Sequence, residues 1–317
     1  MSPITLPANR PPLSRQYNAV RRRRNYFVFI IHAGVIITAS RPEEDNARPP
    51  AGFTCAAVSD GSEKDFRMGL PAKQKYPRVN GSSDRERIVI VKEIFSAINA
   101  KYDFLNHLLS LRRDIAWRRY AVKKMIFFKT DRLLDVACGT GDLAIGAAMR
   151  YPGIRVAGID FVAAMLHLGT DKIARKNLAA RIALIQADAL NLPFDDNSFD
   201  VTAIAFGIRN IPDRAQALKE MLRVTVPGGR VMILEMTFIQ NRFLKYLYYF
   251  YLNHLLPLLT KIFSSHTAAY YYLADSIMTF PPPAEFARLM ENTGMINIEK
   301  YSLTFGITYL HIGEKPS

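Results

Sequence analysis

Residues 133–144 read LLDVACGTGDLA, and the order of their parts decides the fold. Leu133, Leu134, Val136 and Ala137 form a short apolar run, the mark of a buried strand. Gly139 and Gly141 break that run, and Asp142-Leu143-Ala144 opens a helical stretch that continues to Tyr151. Strand, glycine turn and helix in immediate succession form the first half of a βαβ unit. The glycines let the backbone approach a ligand closely. The first turn of the helix presents free N–H groups and a positive dipole end to the same space.

The alternation repeats downstream. RVAGID (155–160) reads as a second strand, with FVAAMLHLGTDKIARKN (161–177) as its helix. IALIQAD (182–188) is a third strand, FDVTAIAF (199–206) a fourth, followed by the helical DRAQALKEMLRV (213–224). Pro227-Gly228-Gly229 marks a turn before a fifth strand, RVMILEMT (230–237), and AEFARLMENTG (284–294) is the last helix. Two closing strands, NIEKYSLTF and ITYLHIGEK, are separated by little more than Gly306, so they must run antiparallel; parallel neighbours need a crossover of about a dozen residues. The expected class is α/β, a seven-stranded, mostly parallel, Rossmann-like sheet with a terminal antiparallel hairpin.

Upstream, apolar residues at Val91, Ile94, Phe95, Ile98, Tyr102 and Leu105 recur three and four apart, which predicts helices leading into the sheet. Residues 1–84 differ in kind, being rich in Pro, Arg and acids without long periodicity. They contain an apolar run, Tyr26 to Ala39, too short for the roughly 20 residues of a spanning helix. Three readings stand for this segment: an unstructured extension outside the folded unit, with Met68 as an alternative start; a membrane-associating segment; or an export signal. The folded unit is expected over 85–317.

The net charge is +14. Residues 1–24 hold six arginines and no acid, residues 25–84 balance, and 85–317 carry the remaining +8. A basic body suits an anionic partner, whether nucleic acid, an acidic lipid surface or an acidic ligand. No nucleic-acid recognition module is visible, and a nucleic-acid partner is not expected. Cys55 and Cys138 form no disulfide framework, which fits a reducing compartment, and no Cys/His cluster has metal-ligand spacing.

Acids punctuate the strand ends. Asp135 lies inside strand one, within reach of a cationic amine. Asp160 ends strand two, where an acid takes ribose hydroxyls, or simply caps the next helix. Asp188 and Ala189 follow strand three, where an adenine edge would lie. The spacing of Gly139, Gly141 and Ala144 also fits a dinucleotide turn, so an NAD-dependent oxidoreductase is the rival reading. It leaves Asp135, Pro227-Gly228-Gly229 and the closing hairpin unexplained.

This constellation resembles the class I S-adenosylmethionine-dependent methyltransferases, whose pattern is D-x-G-x-G-x-G; Ala137 stands here in place of the first glycine. The resemblance implies S-adenosyl-L-methionine as cofactor. Asp135 would take its amine, Asp160 its ribose, Asp188 and Ala189 its adenine, with Gly139, Thr140, Gly141 and Ala205 around it. FSAINAKYDFLNHLLSLRRDIAWRR, ADALNLPFDDNSFD, FGIRNIPD, LKEMLRVTVPGGRVMILE and YYYLADSIMTFP narrow it further. With these the chain is similar, over roughly 85–317, to the ubiquinone/menaquinone C-methyltransferase family, and closest in pattern to its menaquinone branch. The implied acceptor is a ring carbon of a polyprenylated quinol, demethylmenaquinol first and the ubiquinone-pathway benzoquinol second.

Arg209 and Asn210 emerge from strand four in AFGIRN (205–210). A charge at the mouth of a core strand needs a partner. Either Arg209 pairs with Asp213 or another acid of its own fold, or it steadies a quinolate oxygen, with Asn210 bonding the second oxygen and Tyr102 or Asp103 relaying the proton. NRFLKYLYYFYLNHLLPLLTKIF (241–263), interrupted by Pro257, reads as a lid within about 239–283 that admits a greasy tail and rests on a membrane face. The expectation is a cytoplasmic protein held peripherally on lipid, with self-association left open.

Overall fold

The computed structural model describes residues 107, 110–239, 242–251, 254 and 267–317. Tyr102, Asp103 and the whole 1–84 segment lie outside the described residues. Seven strands form one sheet: β1 (Arg132–Val136), β2 (Arg155–Asp160), β3 (Ile182–Gln186), β4 (Phe199–Ala205), β5 (Thr225–Met236), β6 (Ile296–Leu303) and β7 (Thr308–Glu314). Their spatial order is β3-β2-β1-β4-β5-β7-β6. The pairs from β3 through β5 are parallel, whereas β7 runs antiparallel to both β5 and β6. Strand order reverses between β1 and β4, and open α/β sheets bind ligands in the crevice at such a switch point, outside the carboxyl ends of the strands.

Alternation along β1 assigns the two faces. Leu133 packs with α1 (Arg113–Lys123), α2 (Asp142–Arg150) and α3 (Ala163–Arg175); Leu134 and Val136 pack with α4 (Arg214–Val224) and α7 (Pro283–Asn292). β1 and β4 are covered on both sides, so they read as near-continuous apolar runs. Between α4 and α7 come α5 (Arg242–Phe250) and α6 (Thr267–Met278), which occupy part of the expected lid.

Pro227-Gly228-Gly229 does not stand before the fifth strand but inside it. The register slips between Phe199↔Thr225 and Val201↔Arg230, and the three residues form the bulge. A Cβ at Gly229 would lie 2.7 Å from the carbonyl oxygen of Asp200, so only glycine fits where the two backbones cross. The closing hairpin turns through a short helical segment, Thr304–Gly306, bound to the end of β5 by Thr237 N–H donating to Ile307 O at 2.9 Å.

Candidate active site

The glycine turn folds as a chain of left-handed residues: Ala137 (φ 51°), Gly139 (55°) and Gly141 (80°). Two carboxylates hold it. Asp160 Oδ2 accepts from Gly139 N at 2.8 Å, and its Oδ1 accepts from Val162 N at 2.9 Å. Asp160 is therefore a turn brace as well as a cavity wall; it does not cap α3, whose N-cap is Val162 with no side-chain cap bond. Asp135, 1 % exposed, accepts from Ala144 N in the first turn of α2 at 3.0 Å. Asp142 stands in the same turn.

One cavity opens along the carboxyl edge from β4 to β3. It brings together Asp135, Gly139, Thr140, Asp160, Asp188, Ala189, Ala205 and Asn210. Gly141 backs it from the N-cap of α2 without lining it. Asp188 is exposed and also closes its own turn, its Oδ1 accepting from Leu190 N at 2.9 Å. Thr140 is buried, and Lys172 Nζ donates to its hydroxyl at 3.3 Å.

Electrostatics separate the two readings of the glycine turn. The free N–H groups at the start of α2 are met by Asp135, with Asp142 close by, so a pyrophosphate placed there would face two carboxylates at the spot where a dinucleotide turn offers it donors. Among the described lining residues four carboxylates face one cation, Arg118, so the site carries an excess of negative charge. Burial pushes the Asp135 carboxyl up to about 7, although the Ala144 N–H and the Arg118 charge pull the other way. Burial also raises Asp160, against the pull of its backbone N–H donors. An ammonium or sulfonium group entering the cavity relieves that cost. Burial and the charges of Asp135 and Asp160 raise the Cys138 thiol well above its ordinary value, so it stays protonated and is no nucleophile at neutral pH. The residues present fit S-adenosylmethionine.

Arg209 has a partner within the fold. Its Nη1 lies 2.5 Å from Glu235 Oε1 at the end of β5, and Glu235 Oε2 accepts from the Arg209 N–H at 3.2 Å. The same Nη1 donates to Phe206 O at 2.8 Å. The partner is thus a core-strand acid; Asp213 instead caps α4 by accepting from Gln216 N. Arg209 is not among the residues that line the cavity, whereas Asn210 is. Phe206, three residues before Arg209, is held at φ 62°, a conformation costing a bulky residue about 1–3 kcal/mol. The Arg209–Glu235 pair grips the strained turn from behind.

The sequence reading missed three contributors: Glu235, Phe206 and Arg118. Arg118 stands on α1 within DIAWRR, where it reads as one more arginine of an exposed helical face; only the packing of α1 on Phe206 turns it inward. Among the described residues no group of three His, Cys, Asp or Glu is placed to hold a metal.

Comparison with known proteins agrees with this geometry. The ubiE/COQ5 methyltransferase family matches residues 81–315. A ubiquinone/menaquinone biosynthesis C-methyltransferase of Geotalea daltonii is 45% identical over 226 residues, 71% of this chain and 96% of that protein. A demethylmenaquinone methyltransferase of Deinococcus radiodurans is 39% identical over 242 residues, 76% of this chain and 98% of that protein. Among solved structures, a phosphoethanolamine N-methyltransferase of Haemonchus contortus with bound S-adenosylhomocysteine superposes with a TM-score of 0.51 at 17% identity, covering 75% of this chain and 61% of that one. It shares the fold. The cofactor is S-adenosyl-L-methionine, and the chain belongs to the ubiE/COQ5 methyltransferase family.

Proposed function

We propose that this enzyme methylates a ring carbon of a polyprenylated quinol, with demethylmenaquinol the preferred acceptor. The observation that carries this reading is the cavity itself: a carboxylate-walled half at β1–β3 continuous with a half at β4 walled by Ala205, Phe206, Gly207, Asn210 and Ile211, with α6 bonded to its Asn210. The cofactor supplies an electrophilic methyl on a sulfonium. Passed to the quinol carbon, that methyl would leave a neutral thioether behind, so the carbon–sulfur bond would break without a charged leaving group. No acid is needed for the leaving group. The protein's tasks are alignment and removal of the quinol proton.

Asn210 is the residue for the acceptor's oxygen. Tyr272 on α6 donates to Asn210 Oδ1 at 3.3 Å, which engages the amide oxygen and ties α6 to the turn. Arg209 acts one step back, as a positioning residue whose pair with Glu235 keeps the Phe206 turn and Asn210 in place. Tyr248 and Tyr251 stack on each other on the lid side. Burial raises both phenols, Tyr251 to about 12, so neither is a base at neutral pH. The proton relay falls to Tyr102 or Asp103.

Exposed apolar side chains would suit a greasy acceptor delivered from a lipid surface. Leu111, Phe305 and Tyr246 are the most exposed large apolar side chains among the described residues, at 82%, 81% and 74%. The Phe305 turn lies at the carboxyl edge beside α1, since Trp117 Nε1 donates to Thr304 Oγ1 at 2.8 Å. Exposed Arg112 and Arg113 follow Leu111 and suit anionic headgroups. No described helix is long and apolar enough to cross a membrane.

The test is incubation with methyl-labelled S-adenosylmethionine and either demethylated naphthoquinol or the benzoquinol precursor, in anionic or neutral vesicles. Label on the naphthoquinol ring carbon is expected, faster on anionic vesicles. Label on the benzoquinol alone would replace the acceptor, and label on neither would remove the quinol reading.

A further inference from the structure

We propose that Arg118 recognises the carboxylate at the amino-acid end of the cofactor, opposite Asp135, so that the two side chains together read a zwitterion. The inference rests on S-adenosylmethionine as the cofactor and assigns a residue that the acid-and-glycine pattern does not contain.

The first argument is charge inventory. Among the described residues the cavity wall carries four carboxylates, Asp135, Asp142, Asp160 and Asp188, and one guanidinium, Arg118. The cofactor brings two cationic centres, the sulfonium and the ammonium, and one anion. Among the described lining residues only Arg118 meets that anion with opposite charge. Without it the carboxylate would enter a site already crowded with negative charge.

The second argument is preorganisation. Arg118 Nη1 donates to Asp114 Oδ2 at 2.7 Å, and its guanidinium carbon sits 4.9 Å from the centre of the Phe206 ring. Asp114 is 4 % exposed and is itself fixed by the Ser110 hydroxyl at 2.7 Å and His107 Nδ1 at 2.9 Å. Those three partners outweigh burial and hold its carboxyl below the ordinary value, so Asp114 stays ionised behind the arginine. A guanidinium has five N–H donors in a rigid fork, and among the described residues Asp114 is its hydrogen-bond partner through one nitrogen. The rest of the fork is available on the cavity side. A fork fixed from behind and from below is suited to bidentate capture of a carboxylate, which a lysine ammonium would not reproduce. Asp135 lies close enough for the Arg118 charge to lower its proton affinity, so amine site and carboxylate site are neighbours.

The test compares two ligands that differ only in the carboxylate: S-adenosylhomocysteine and its decarboxylated analogue, titrated calorimetrically. The full-length wild-type chain is expected to favour the first by roughly 10–100-fold, the range of a charge-assisted hydrogen bond. Arg118→Met is expected to lose that preference to within about threefold while binding the decarboxylated analogue about as well as wild type, which reports an intact pocket. Arg118→Lys should keep part of the preference. A wild-type preference retained in Arg118→Met would overturn the assignment. Equal weakening of both ligands would reduce Arg118 to a structural role and overturn it as well. Should Arg118→Met fail to fold, Asp114→Asn keeps the shape and loosens the fork; a preference unchanged there sinks the proposal, and a reduced one upholds it. Wild type that binds neither ligand removes the cofactor and this inference together, whereas equal binding of both removes the Arg118 assignment alone.

Discussion

The two halves of the cavity treat charge in opposite ways. At β1–β3 the carboxylates are under-compensated: Asp135 and Asp160 are raised by burial, and backbone N–H groups offset this only in part. At the carboxyl end of β4–β5 Arg209 is closed against a carboxylate, Glu235, which is 1% exposed and accepts from Arg209 and from the Met236 N–H. The first half stores an electrostatic demand that a cationic cofactor meets. The second is neutral before any acceptor arrives, and presents amide and ring surfaces. A sulfonium donor and an apolar quinol call for that division. It also explains why an arginine at the mouth of a strand need not touch the substrate to matter.

The strongest way to break this contrast is to open the closed pair. Glu235→Ala leaves Arg209 buried without its carboxylate and is expected to cost about 3–5 kcal/mol of stability, read from urea unfolding. Replacing both, Arg209→Met with Glu235→Leu, is expected to recover most of that stability, because two desolvation penalties leave together. The doubly substituted enzyme should still turn over slowly, since the Phe206 carbonyl has lost its donor. A double variant with wild-type turnover would show that the pair serves folding alone.

On the other half, Asp160→Ala removes both a cavity carboxylate and the brace on Gly139. Cofactor affinity is expected to fall by roughly 10–100-fold, measured by calorimetry. Asp160→Asn keeps an acceptor for one backbone N–H and should lose less. Equal losses in the two variants would mean that charge, and not the brace, dominates.

Asp135 sharpens the same contrast through pH. Its folded value of about 7 lies above the ordinary carboxylate range, so the unliganded fold binds an extra proton between roughly pH 4 and 7. The group's contribution to stability is therefore fully present below the unfolded value and is lost as pH rises through 7. Cofactor binding runs the other way, because the ammonium favours the ionised carboxylate. Affinity is expected to rise by up to about tenfold per pH unit toward 7 and then level off. Asp135→Asn should flatten that profile and remove the associated slope in apo stability. Arg118→Met should move the midpoint upward, since the arginine lowers it.

The sheet was legible because it is written in local signals: β1 to β5 each announce themselves as apolar runs, and Gly306 forces the last pair antiparallel. The convergence of Asp135, Gly139 and Asp160 on one cavity was legible for the same reason, since they stand at strand ends. The acceptor half was not. Glu235 sits in LEMT at the end of β5 and looks like any strand acid; only register brings it to Arg209, 26 residues away. Arg118 and Phe206 meet through the docking of α1, an interaction between elements that no spacing along the chain encodes. Asp160 was ambiguous between ribose and cap because it has two oxygens and one position: the oxygens hold the backbone, and their outer face remains for a ligand.

The smallest expected effect lies where the halves touch. Ala137, in place of the motif's first glycine, holds φ 51° at about 1–2 kcal/mol more than a glycine would need. Across the crevice a Cβ on Gly207 would come within 2.7 Å of the Ala137 methyl and 3.1 Å of the Ile204 side chain. The two positions are thus coupled: the methyl that entered the donor turn is accommodated by a glycine in the acceptor turn. Ala137→Gly is expected to stabilise the fold by a few tenths to about 1 kcal/mol, the relief of strain being partly offset by a freer unfolded chain. Gly207→Ala should destabilise the wild type by more than it destabilises Ala137→Gly, because the methyl–methyl clash is then gone while the contact with Ile204 remains. A double-mutant cycle read by chemical denaturation isolates that coupling. Strict additivity would mean that the turns relax independently, and the donor and acceptor halves would then be neighbours without being built for each other.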